Sequence, residues 1–115
     1  MRYPTYYKLD GHTPVPVDNI LEWGVWFQTS IEERIVKQDG DEGTGWWVST
    51  VFLALDHAFM NGPPVLFETL VFAPKTVPPA LAELDGQMER YSTWEEAEAG
   101  HRRMCARVRA ALEGL

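Results

Sequence analysis

Polar residues are scarcest between Trp46 and Phe72, where the chain reads WWVSTVFLALDHAFMNGPPVLFETLVF. In the first half of this stretch both alternating sets are mostly apolar, Trp46/Val48/Thr50/Phe52/Ala54 on one side and Trp47/Ser49/Val51/Leu53/Leu55 on the other. That pattern predicts a central strand over 46–56 covered on both faces, by helices on one and by a partner on the other. Residues 33–38 and 65–72 are its expected neighbours, joined to it by the acidic turn DGDEGTG and by the turn HAFMNGPP. Before them lie a strand over 3–9, a turn at Asp10-Gly11 and an extended edge over 13–17, where Pro14 and Pro16 would remove ladder donors from any central position.

Helical periodicity appears twice. Asn19 and Glu22 have the spacing of a capping box, and Ile20, Trp23, Gly24, Phe27 and Ile31 fall on one side of a helix over 19–30. Gly24 suggests a close approach of another backbone. Thr93 and Glu96 form a second capping box, opening a helix whose Trp94, Ala97, His101, Met104, Val108 and Ala111 share the sheet-facing side, with Glu98 and Arg102 paired outside. Residues 73–87, with prolines at 74, 78 and 79, read as an exposed and mobile loop, and 88–92 as a further strand. The order β-α-β-β-β-(β)-α predicts one α+β domain over 1–115, with an antiparallel sheet of about four to five strands and two helices.

Composition narrows the function classes. With 115 residues and 45% apolar content the chain is long enough for one core. A formal charge of −7 argues against duplex nucleic acid, whose binding comes from Lys and Arg neutralising phosphates. A small anionic ligand is compatible with it, because a local pocket can be basic on an acidic protein. The single Cys105 allows no internal disulfide and no paired zinc spacing, which points to a reducing compartment. The N-terminal segment lacks an apolar h-region, and no apolar run approaches the roughly 18–20 residues of a membrane span, so the expected location is cytoplasmic.

Glu68 interrupts an apolar strand and needs a partner if buried; Arg90, or Ser49 and Thr50, would supply it, with a solvent-facing carboxylate as the alternative. Asp56 and His57 are adjacent and would point to opposite faces, which suits a turn histidine or a rim contact better than an acid–base dyad. The loop from Asp39 alternates carboxylates and glycines but lacks the remainder of a calcium loop, so no metal is expected there. No nucleophile motif, metal spacing or cofactor signature is present, and an enzyme is not expected. Arg90, Tyr91, Thr93 and Trp94 lie together at the start of the last helix, where free N–H groups favour anions, and His57 and Asn61 reach toward them from a turn. They are the candidate ligand site. The five tryptophans exceed the needs of so small a core and predict self-association, most simply as a dimer.

Asp56-His57-x-Phe59, Gly62-Pro63-Pro64, Leu66 to Thr69, and Arg90-Tyr91 with Thr93 to Ala97 resemble a family of small bacteriophage and prophage proteins. The family pattern is D-H-x-F, P-P, L-F-E-T and R-Y-x-T-W-E-E-A; Met60-Asn61 and the longer Pro-rich segment after Phe72 depart from it. The resemblance implies an accessory phage protein made in host cytoplasm. Two functions follow as expectations: non-enzymatic capture of a small nucleotide-type signal against host defence, or a protein-binding inhibitor or oligomeric structural accessory.

Overall fold

The computed structural model describes residues 4–58 and 62–114, and it is an α+β domain. Strands β1 (Tyr7–Asp10) and β2 (Thr13–Pro16) form a small antiparallel sheet, followed by helix α1 (Ile20–Thr29). Strands β3 (Ile35–Asp41), β4 (Trp46–Phe52), β5 (Phe67–Phe72) and β6 (Met88–Tyr91) form a four-stranded antiparallel sheet in the order β3-β4-β5-β6. Helix α2 (Trp94–Glu113) packs on one face of it.

Helix α1 begins where the Asn19 side chain accepts from the N–H groups of Leu21 and Glu22. Its inward side differs from the expected one. Ile20 and Ile31 are 54% and 60% exposed, and the residues packed on the core are Trp23, Trp26 and Phe27. The rings bury far more apolar area than the two isoleucines and set the helix phase. Trp23 Nε1 fixes it by donating to the carbonyls of Tyr7 and Ala54 at 3.0 and 3.2 Å. Among the described residues no backbone approaches Gly24, where a Cβ would meet nothing within 4 Å. Gly24→Ala should therefore stabilise the protein by about 0.5–1 kcal/mol through helix propensity alone, read as a raised thermal midpoint.

Strand β4 is shorter than its apolar run. Ala54 adopts φ 67°, which bends the chain, and Leu55 pairs with Tyr6 beside the small sheet. The 73–87 segment is also corrected. Pro79–Leu84 forms a 3₁₀ helix whose Leu81 and Leu84, three residues apart and so on one side, are buried beneath α2. Most of the segment is exposed as expected, but it is anchored to the core by these two leucines rather than being a loop throughout.

The core consists of two apolar clusters. One contains Phe52, Ala54, Leu66, Phe67, Trp94 and Ala97 with the α1 rings, and the other contains Trp46, Val48, Val71, Leu81, Leu84, Met104 and Val108. Between them each element contributes a buried polar residue: Thr50 from β4, Thr69 from β5 and His101 from α2. Thr50 and Thr69 are direct register partners, so their hydroxyls meet on the α2 side. The opposite sheet face has no helix over it among the described residues and presents Trp47, Phe72 and Met88, each 44–48% exposed.

Candidate functional site

The polar layer between the clusters opens at the edge strand. On β3 the alternation Lys37, Asp39, Asp41 places three charged residues on the α2 side, opposite Thr50, Val48 and Trp46. Charges facing inward also blunt an edge against further pairing. On α2, His101 and Cys105 are one turn apart and share a face. His101 is 2% exposed, and its two ring nitrogens have different partners. Nδ1 lies 2.7 Å from Thr50 Oγ1; Nε2 lies 2.7 Å from Asp39 Oδ2 and 3.4 Å from Cys105 Sγ.

The ends of the network set its direction for a neutral imidazole. An ionised Asp39 only accepts, so Nε2 carries the proton and Nδ1 accepts from Thr50. Thr50 then accepts from Thr69 at 2.5 Å, and Thr69 from the Tyr91 hydroxyl at 3.1 Å. Every hydroxyl in this chain is satisfied. Tyr91 also contacts Glu89 Oε2 at 3.3 Å, which Arg103 holds from α2 at 3.2 Å.

Local electrostatics follow from these contacts. The hydrogen bond from His101 is the main reason the Asp39 carboxyl is held below its ordinary range, against a smaller opposing effect of burial. Burial pushes the Cys105 thiol up, and the Asp39 charge adds to this while Arg109 and Lys37 oppose it. Burial likewise raises the Tyr91 phenol. The arrangement is not an activated-nucleophile triad. The thiol is disfavoured from ionising, Asp39 and Cys105 compete for the same ring nitrogen, and Thr50 is fully buried.

Above Asp39, His101 and Cys105 lies an open groove of about 680 Å³ between β3 and α2. Val108 and Leu112 form an apolar wall, and Lys37, Arg102 and Arg109 supply its positive charge. Glu98 also lines it, and the expected Glu98–Arg102 pair is not among the ion pairs of the described residues.

The helix-start residues do not converge. Arg90 is on the open sheet face, where its Nε donates to Glu68 Oε2 at 2.9 Å. Glu68 is thus a partly buried anchor of the sheet, paired with Arg90. Thr50 cannot be its second partner, because Thr50 faces α2 and Glu68 faces away. Tyr91 follows Arg90 in a strand and points to the opposite face. Trp94 is 7% exposed and stacked against His12, with ring centroids 3.7 Å apart. The Thr93–Glu96 capping box takes two of the N–H groups at the helix start, those of Thr93 and Glu96. Asp56 Oδ1 accepts from the N–H groups of Ala58 and Val65, holding the turn, and His57 is exposed. Asn61 lies outside the described residues.

The sequence reading missed the Asp39/His101/Cys105 cluster, although a signal for it was present. A His and a Cys four apart on a sheet-facing helix side, and a Thr in the apolar parity of each of two neighbouring strands, jointly mark a polar layer that needs an outlet. Among the described residues no helix is long and apolar enough to cross a membrane. No family model, no curated protein and no solved structure matches the chain.

Proposed function

We propose that the protein is a non-enzymatic binding protein that takes a small anionic ligand into the groove between β3 and α2. The observation that carries this reading is the pairing pattern of the cations. Lys8, Arg90, Arg103 and Arg107 sit in ion pairs; of the five other cations among the described residues, Lys37, Arg102 and Arg109 line one groove, while Arg34 lies over the Phe27 ring and Lys75 is elsewhere. Asp39, Asp41 and Glu98 line the same groove and balance its formal charge, so the ligand that fits is one whose negative charge meets the three cations directly and whose apolar part rests on Val108 and Leu112. In the phage setting that the D-H-x-F and L-F-E-T motifs imply, the reading is capture of a nucleotide-type signal in host cytoplasm.

Purified protein is incubated with a panel of cyclic and linear nucleotide signals, washed, and heated to release what it retains for mass analysis. Intact recovery is expected. An altered product would make the protein an enzyme, and no retention would point to a protein target. Arg102→Ala and Arg109→Ala should each weaken the retained ligand about tenfold, near 1.4 kcal/mol, while Arg90→Ala leaves it unchanged. The reverse pattern would return the site to the helix start.

The second reading, an oligomeric accessory, is favoured by the open sheet face. Trp47 lies over Gly40 and pairs with Phe72, and Leu70 pairs with Met88, giving an apolar strip. Its one ion pair among the described residues, Glu68–Arg90, is self-neutralised, so a second copy would meet a balanced charge there across a sheet-on-sheet contact. Light scattering should give about twice the 13.1 kDa chain mass, and Trp47→Glu should return a monomer. A monomeric wild type across micromolar concentrations overturns this.

A further inference from the structure

We infer that Asp39, His101 and Cys105 form a three-ligand site for a divalent transition-metal ion of the zinc class at the floor of the groove. The donor set is a carboxylate oxygen, an imidazole nitrogen and a sulfur, and these atoms all lie within 4.8 Å of one another. A tetrahedral ion with bonds of about 2.0–2.3 Å needs donors about 3.3–3.6 Å apart. His101 Nε2 to Cys105 Sγ is 3.4 Å, and Cys105 Sγ to Asp39 Oδ2 is 3.9 Å, so both are already near that spacing. Only the 2.7 Å contact between His101 and Asp39 must open, when an ion replaces the shared proton. The Asp39 side chain is 54% exposed and free to move by that amount.

The layer behind the site suits a ligating histidine. Metal-bound imidazoles donate their other N–H to a fixed acceptor, which sets the ring orientation. Here Nδ1 faces Thr50 Oγ1, and each hydroxyl in the chain can both donate and accept. With the proton moved to Nδ1, the hydroxyl rotors reverse: His101 donates to Thr50, Thr50 to Thr69, Thr69 to Tyr91 and Tyr91 to Glu89 Oε2. Either direction ends on a carboxylate, Asp39 in the first and Glu89 in the second. The imidazole stays neutral throughout, and the proton released on binding is that of the Cys105 thiol. One carboxylate and one thiolate then balance the divalent charge, and the fourth position opens onto the groove that all three residues line. A structural His101–Asp39 pair would not require a thiol against the same nitrogen. The proposal differs from the calcium-loop pattern that the DGDEGTG turn fails, because two of its three ligands come from α2.

The test uses chelator-treated full-length chain and Co²⁺ alone. One equivalent per chain should produce the visible bands of tetrahedral Co²⁺ and a near-ultraviolet thiolate-to-metal band, both removed by added Zn²⁺. Cys105→Ser should lose the near-ultraviolet band, and Asp39→Asn should bind at least tenfold more weakly, each with wild-type circular dichroism. Absence of the bands in the wild type, a near-ultraviolet band that survives Cys105→Ser, or wild-type affinity in Asp39→Asn would overturn the site.

Discussion

Thr50→Val is expected to destabilise the protein by about 2–3 kcal/mol, although it is nearly isosteric and lies in an otherwise apolar strand. The hydroxyl is fully buried and bonded on both sides, to His101 Nδ1 at 2.7 Å and to Thr69 Oγ1 at 2.5 Å. Removing it strands Nδ1 of the buried His101 and leaves the buried Thr69 hydroxyl with Tyr91 as its one remaining partner, and a stranded buried group costs roughly 1–3 kcal/mol. The layer as a whole contributes far less than its parts suggest. Replacing Thr50 and Thr69 by Val and His101 by Leu together removes every stranded group and joins the two apolar clusters. The triple variant should therefore lie within about 1 kcal/mol of wild type. Tyr91 retains Glu89 as an acceptor, and Asp39 returns to water.

Urea denaturation of the three single variants and the triple variant measures this, with the m-value checking that the unfolding remains two-state. Strong non-additivity is the expected outcome. If the triple variant is as unstable as the sum of its singles, the layer stabilises the fold in its own right. If it is stable but no longer binds Co²⁺, the polar residues are there for the site, and the core would have been continuous without them.

How much of this was legible follows from the distance over which each feature is encoded. The caps at Asn19 and Thr93 and the order of strands and helices along the chain are local patterns and were readable, whereas the division of the expected single sheet into one of two strands and one of four was not. The pairing of β5 and β6 and the Glu68–Arg90 pair were one reading among several, beside Ser49 and Thr50 as partners and a solvent-facing Glu68, and the β5-β6 register decides for Arg90. The end of β4 was not legible, because alanine at φ 67° leaves no residue-type signature such as glycine would. The phase of α1 was misread because isoleucine and tryptophan were weighed alike, whereas the rings bury more area. The helix-start site failed on period: Arg90 and Tyr91 are close in sequence but a strand sends them to opposite faces. The actual cluster joins Asp39 to His101 across 62 positions, a contact that only the α2-on-β3 packing creates.

The same substitution at two helical glycines should have opposite signs, and the second carries the larger effect. Gly24→Ala fills open space on α1, whereas Gly100→Ala on α2 would place a methyl inside the Tyr91 phenol, overlapping its hydroxyl, Cζ and Cε1. Tyr91 is 8% exposed and held by Thr69 and Glu89, so it cannot step aside without breaking both bonds and lifting α2 from the sheet. Helix propensity returns about 1 kcal/mol, and the overpacking and lost hydrogen bonds exceed it, for a net cost of about 2–3 kcal/mol. The cause is identified on a Tyr91→Leu background, where the phenol is absent. There Gly100→Ala should cost less than about 0.5 kcal/mol, because only the propensity gain and a small packing change remain. An equal cost on both backgrounds in thermal or urea melts would mean that α2 tolerates no side chain at position 100 for a reason other than the close approach of Tyr91.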